Sequence, residues 1–294
     1  MQVVSAKPEF GAEIFGADLA RPNERLVEEC WQLFDRYALC VFRGSGLDDR
    51  RHVAFSRLFG DLEHAPRARS STPRFDYPEL FDAGNLDRMG AIRMDEKRRL
   101  FNKGNQQWHT DSSFRTARSS YSMLLAHVIP PSGGETQFAD MRAAYDALPD
   151  DLRARLEGLE AEHSIWHSRS LAGYPPATEE EQALIPSARQ PLLMKHPRTG
   201  RWSLYLARHA SHIVGMDRAE GAKLLDELIE FATQPQFVHT HEWQVGDLVV
   251  WDNRCTMHRA TPFEDTLYPR DMRRTTLIDG STPTATVDHA MSDA

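Results

Sequence analysis

His109, Thr110 and Asp111 form an H-x-D step whose outer two residues can both hold a metal ion. On a strand, alternate residues share a face, so His109 and Asp111 can reach one ion together. His258 closes the segment W-D-N-R-C-T-M-H, which follows the apolar run L-V-V-W at 248–251. A buried strand there would deliver His258 into a polar turn. Two histidines and one carboxylate make a facial set of three ligands and leave half of an octahedron open, as non-haem Fe(II) oxygenases require. Zinc with a water in its fourth place would use the same side chains, and ligand type alone does not choose between them. Other histidines fit less well. His239 and His241 alternate on an expected strand, but the adjacent Glu242 faces the opposite way. His163 and His167 are four apart, yet Ser164 stands where a zinc-protease helix needs Glu, so they read as polar residues at a helix end.

Anion partners narrow the chemistry. Arg270 lies twelve residues beyond His258, and Arg274 four beyond Arg270. On a closing strand over 269–278, residues 270, 272 and 274 alternate to one face, so both guanidinium groups can point inward; the alternative is that they are solvated, in a chain with many arginines. A buried, unpaired guanidinium is costly. Two of them beside a metal therefore point to carboxylates or similar anions as ligands. The chain as a whole is acidic, with 35 basic and 43 acidic residues and a net charge of −8. That balance argues against nucleic acid or an anionic membrane as the main partner and leaves a small anionic substrate. No apolar run approaches the ~20 residues of a membrane span, and the first residues lack the pattern of a signal peptide. Cys30, Cys40 and Cys255 show no C-x-x-C spacing, which implies reduced thiols and a cytoplasmic protein.

These side chains need a scaffold. Apolar periodicity predicts a helix over 24–37, a buried strand over 38–42 and a helix over 48–59. The stretch 64–107 is polar, broken by prolines and rich in arginine and lysine, and shows no clear element; its length marks it as a lid or active-site loop over an anionic ligand. Short strands follow at 121–128, 135–138, 192–195, 202–207, 237–243, 248–251 and 273–278, separated by turn signals such as Gly133-Gly134 and Val245-Gly246-Asp247. Helices interrupt them at 141–159, broken at Pro149, and at 218–233. Many short strands with a few flanking helices predict a mainly β fold of the jelly-roll type. It would occupy 1–279 as one domain, followed by a polar, flexible tail at 280–294.

Four separated segments carry a resemblance: W-H-T-D-S-S-F at 108–114, P-P-S-G-G-E-T-Q-F-A-D-M-R-A-A-Y-D-A-L at 130–148, V-G-D-L-V-V-W-D-N-R-C-T-M-H-R-A at 245–260, and P-R-D-M-R-R-T-T-L at 269–277. In this order and spacing the chain resembles the TauD/TfdA family of Fe(II)/2-oxoglutarate-dependent dioxygenases, and within it the 2,4-dichlorophenoxyacetate branch. The resemblance covers the chain to about residue 279. It implies a double-stranded β-helix with His109, Asp111 and His258 on Fe(II). It also implies that Arg270 and the Thr136 hydroxyl hold the distal carboxylate of the cosubstrate 2-oxoglutarate, and that Arg274 pairs with the primary substrate. Arg67 falls where the branch is expected to use one substrate-binding lysine, and Ala91 where it is expected to use another. The implied reaction consumes O2 and 2-oxoglutarate and hydroxylates a small anion. An aryloxyalkanoic acid of the phenoxyacetate type would then collapse to a phenol and an oxo acid. An alkylsulfonate or alkylsulfate dioxygenase is the alternative within this chemistry; an aromatic rather than polar substrate pocket separates the two. A zinc hydrolase on the same barrel gives no reason for Thr136 and Arg270. A homo-oligomer is compatible with either reading.

Overall fold

The computed structural model describes residues 1–64, 74–282 and 287. Arg67 and most of the tail lie outside them. The described chain is mainly β with helices packed on it. A seven-stranded sheet runs in the order Gln2–Lys7, Phe10–Phe15, Leu39–Phe42, Leu248–Asp252, Ser119–Val128, Asp271–Ile278, Phe81–Asp82. All neighbours are antiparallel except Phe10–Phe15 with Leu39–Phe42. A second sheet has three strands, Val238–His241, Thr136–Asp140 and Thr256–Ala260.

The apolar run at 248–251 sits where its composition demands. Leu248–Asp252 is paired on both edges, with Val249 opposite Val41 and Leu124, and every residue in it is buried. One core lies between the sheets, where Leu39, Val41, Leu124, Val249 and Trp251 meet Phe138 of the small sheet. Another lies on the outer face of the large sheet, under the helix Glu24–Tyr37, which contributes Cys30, Phe34 and Tyr37. That helix starts at Asn23, whose side chain accepts from Leu26 N, and ends at Ala38 in the left-handed region, φ 54°. A third core gathers the helix Arg218–Ala232 against Met141 and Ala144 of Met141–Asp146. Pro149 separates that short helix from Asp150–Leu156, as expected from the sequence.

Three expectations change. The stretch 64–107 is not without elements: Phe81–Asp82 pairs with the closing strand, and Glu96–Asn105 is a helix capped by Asp95. That helix reads E-K-R-R-L-F-N-K-G-N and has no apolar stripe, so periodicity could not reveal it. The strand expected over 202–207 is regular only at Trp202–Leu204. His163 does not end a helix; it ends the strand Glu160–His163 and is fully buried. No helix among the described residues is long and apolar enough to cross a membrane.

Candidate metal centre and anion cavity

The backbones of His109 and His258 are locked to each other. His258 N donates to His109 O at 2.8 Å, His109 N donates to His258 O at 3.0 Å, and the two rings lie 4.1 Å apart. This contact is an isolated bridge at the middle of the strand Thr256–Ala260. The H-x-D step therefore does not lie on a regular strand, as the alternation argument assumed. Asp111 enters a turn, and Ser112 after it takes a left-handed conformation, φ 52°. The three side chains nevertheless converge, with one ligand atom from each of His109, Asp111 and His258 within 4.8 Å of the others. Asp111 Oδ1 is 4.0 Å from His109 Nε2, and Oδ2 is 3.8 Å from His258 Nε2. Ligand atoms about 2 Å from a shared ion are at most about 4 Å apart, a limit that both Asp111–histidine spacings meet.

Their protonation suits an ion. His109 Nδ1 lies 2.7 Å from Gln107 O, a carbonyl that can only accept, so Nδ1 carries the hydrogen and Nε2 presents a lone pair. His258 Nδ1 is buried with no hydrogen-bond partner among the described residues. Burial pushes both imidazoles below their ordinary range, towards the neutral form a metal needs. Burial alone would raise the Asp111 carboxyl, but Arg274, His258 and His109 outweigh it and hold the group well below the usual carboxylate range. This donor set fits a divalent cation.

A cavity opens from the two histidines towards Thr136, Phe263 and Arg270. Arg270 is buried and forms no ion pair among the described residues; burial pushes its guanidinium down to about 10. Its Nη1 donates to Gly134 O at 2.5 Å, and its guanidinium lies 5.5 Å from the centre of the Phe263 ring. Gly134 has φ +74°, and a Cβ there would stand 2.5 Å from Arg270 Nη1, so glycine lets the guanidinium lie on the main chain. Thr136 Oγ1 accepts from Trp243 Nε1 at 3.0 Å, which leaves its own hydrogen to donate. Arg270 and Thr136 thus present unspent donors to one space, as an anion requires.

A second pocket shares Phe81, Asn105, His109 and Arg274 with the first and extends away from Arg270, forming the outer end of the site. Phe81, Phe101, Phe114, Ile165 and Ile185 give it apolar walls, with Glu63, Arg115 and Arg169 among them. Arg274 stands between the two spaces. Its Nη1 contacts Asp111 Oδ1, its guanidinium lies 4.6 Å from the Phe81 ring centre, and its Nε is buried without a partner among the described residues. Both arginines of the closing segment reach the cavities, as their spacing suggested. Arg67 lies outside the described residues, and Ala91 lines neither pocket. His241 pairs with Asp247 at 3.2 Å, away from this centre. Sequence reasoning missed the aromatic walls Phe81 and Phe101, and it missed Ser122 and Asn253, which touch Asp111.

Comparison with known proteins agrees with this geometry. Residues 2–276 match the family model described as taurine catabolism dioxygenase TauD, TfdA family. An alpha-ketoglutarate-dependent 2,4-dichlorophenoxyacetate dioxygenase of Cupriavidus pinatubonensis is 44% identical over 275 residues, covering 92% of this chain and 96% of that protein. An (S)-phenoxypropionate/alpha-ketoglutarate-dioxygenase of Sphingobium herbicidovorans is 40% identical over 263 residues, 87% of this chain and 88% of that protein. The crystal structure of AAD-2 with Mn(II) and N-oxalylglycine superimposes with a TM-score of 0.87 at 39% identity, covering 97% of this chain and 99% of that one.

Proposed function

This chain belongs to the TauD, TfdA family of dioxygenases, and from that premise we propose that it is an Fe(II)- and 2-oxoglutarate-dependent dioxygenase of aryloxyalkanoic acids. The two packed sheets are then the halves of a double-stranded β-helix. His109, Asp111 and His258 hold the iron. When bound, iron and 2-oxoglutarate activate O2, giving succinate, CO2 and one hydroxyl on a substrate carbon.

The protein's share is placement. Arg270 and the Thr136 hydroxyl take the distal carboxylate of 2-oxoglutarate. The buried Arg270, without an acidic partner among the described residues, carries this reading, because such a group calls for an anionic ligand. Arg274 offers its unpartnered Nε to the substrate carboxylate and so turns the adjacent carbon towards the metal. Arg67 is assigned to the substrate side by position in the sequence alone. Phe81, Phe101 and Phe114 form the apolar surface an aryl ring needs, which favours an aryl ether over a small sulfonate. Hydroxylation at the ether carbon gives a hemiacetal, which breaks to a phenol and an oxo acid such as glyoxylate.

Succinate release tests this, with Fe(II), ascorbate and 2-oxoglutarate present and aryloxyacetates, 2-aryloxypropionates, aryl acids and taurine compared. Release with an aryloxy acid, together with the free phenol, is the expected result. Turnover of taurine alone would overturn the substrate class. Hydrolysis independent of O2 and 2-oxoglutarate would overturn the reaction.

A further inference from the structure

Asp111 has no ladder to hold it. It follows a single bridge and precedes the left-handed Ser112. The terminal torsion of an aspartate is broad, so the side chain does not fix its own carboxylate plane. Arg274 also pulls on Oδ1. Something else must keep this carboxylate directed at the two histidines.

Asn253 and two serines touch Asp111 at three points. Asp111 N donates to Asn253 Oδ1 at 3.2 Å, Ser119 Oγ donates to Asp111 O at 2.7 Å, and Ser122 Oγ donates to Asp111 Oδ2 at 2.7 Å. Ser119, Ser122 and Asn253 are all 0% exposed, so bulk solvent does not reach these bonds. The direction of every hydrogen follows from the partners. Asn253 Oδ1 also accepts from Trp251 Nε1 at 3.0 Å. An indole N–H and a backbone N–H can only donate, so the atom between them is the amide oxygen. The amide nitrogen therefore faces Ser122 Oγ, 2.9 Å away, and donates to it. Ser122 is left to give its single hydrogen to the carboxylate. The pairing of Trp251 with Ser122 across neighbouring strands brings the members together.

We propose that Trp251, Asn253 and Ser122 form a one-way relay of hydrogen bonds that positions Asp111 as a metal ligand and holds it against the pull of Arg274. Each bond polarises the next in a dry interior. Trp251 also lies 4.7 Å from the His258 ring, so one residue backs two of the three ligands. These are positioning residues, and the inference rests on the metal-site reading above.

Titration of metal-free enzyme with Co(II), followed by visible absorption, tests the relay without turnover. Ser122→Ala raises the Co(II) dissociation constant roughly 10–100-fold. Asn253→Asp keeps the shape and both acceptor contacts but cannot donate to Ser122. It draws the serine hydrogen away from Asp111 and shows a loss of the same order. Trp251→Phe keeps the ring against His258, removes one donor, and loses roughly 2–10-fold. Far-UV circular dichroism and the thermal midpoint of the metal-free proteins verify folding; should Ser122→Ala not fold, the near-isosteric Asn253→Asp carries the test. Co(II) affinity within about twofold of wild type in folded Ser122→Ala or Asn253→Asp overturns the relay. A loss in Ser122→Ala that Asn253→Asp does not share also overturns it, because the hydroxyl would then act alone. Wild-type enzyme that binds no Co(II) overturns the metal-site reading instead.

Discussion

At the inner end of the cavity the anchoring side chains leave strands or the residue beside one. Thr136 begins Thr136–Asp140, His258 lies within Thr256–Ala260, and Arg270 directly precedes Asp271–Ile278. At the outer end Phe101 comes from the helix Glu96–Asn105, Ile165 from Ile165–Ala172, and Ile185 from the residue after Glu179–Leu184. Strand positions are held by ladders, on both edges for Thr136–Asp140 and on one for Thr256–Ala260, while short helices and turns are held by fewer neighbours and tolerate change more readily. On the reading proposed above, the reaction belongs to the sheets and the choice of substrate to the elements around them, so each should respond to mutation separately.

The largest effect tests that separation directly. Arg270→Ala removes the inner anion anchor and raises the KM for 2-oxoglutarate roughly 100-fold, with little change in the KM for the aryloxy acid. Arg274→Ala does the reverse: kcat/KM for the aryloxy acid falls by up to roughly 100-fold, while 2-oxoglutarate titrates nearly as in the wild type. Initial rates of succinate release with each substrate varied in turn measure both, and equal losses in either variant would erase the distinction between the two ends. Phe101→Ala removes one ring from the outer wall. It weakens the aryloxy acid by roughly tenfold and leaves 2-oxoglutarate alone. A change in 2-oxoglutarate affinity here would mean that the helix also shapes the inner end.

The smallest effect concerns the backing of the sheet. His52, on the helix Asp49–Arg57, lies 3.3 Å from the hydroxyl of Thr275 in the closing strand and is fully buried. Burial pushes its imidazole down to about 3, against about 6.5 in an unfolded chain. The unfolded state therefore takes up the extra proton. The stability due to neutral His52 is present in full above about pH 6.5 and is lost as the pH falls towards about 3, at roughly 1.4 kcal/mol per pH unit. His52→Gln flattens the fall in thermal midpoint between pH 6.5 and 5. An unchanged slope would show that other groups govern acid sensitivity.

Much of the inner end could be read before any coordinates. H-x-D and the distant His258 suggested a ligand set, and the spacing of Arg270 and Arg274 suggested anion partners, because each signal is local or periodic; the structure brings these side chains to adjoining spaces. Thr136 was legible only through resemblance, since a strand threonine beside Gly133-Gly134 carries no chemistry by itself. The relay behind Asp111 was not legible. Asn253 and Ser122 are 131 residues apart and meet through strand register, which the sequence does not print. The outer end was harder still, because Glu96–Asn105 has only Leu100 and Phe101 as apolar side chains and so no stripe, and Phe81–Asp82 is two residues long.

The contact between Arg270 and Gly134 has a practical consequence. The guanidinium rests on a main-chain carbonyl and beside an α-carbon that bears no substituent. The seat of this anchor is therefore set by the main chain, and a side chain added at 134 would push the guanidinium aside. On the reading proposed above, the length of keto diacid accepted depends on keeping glycine there, whereas the aromatic guest can be exchanged one wall residue at a time.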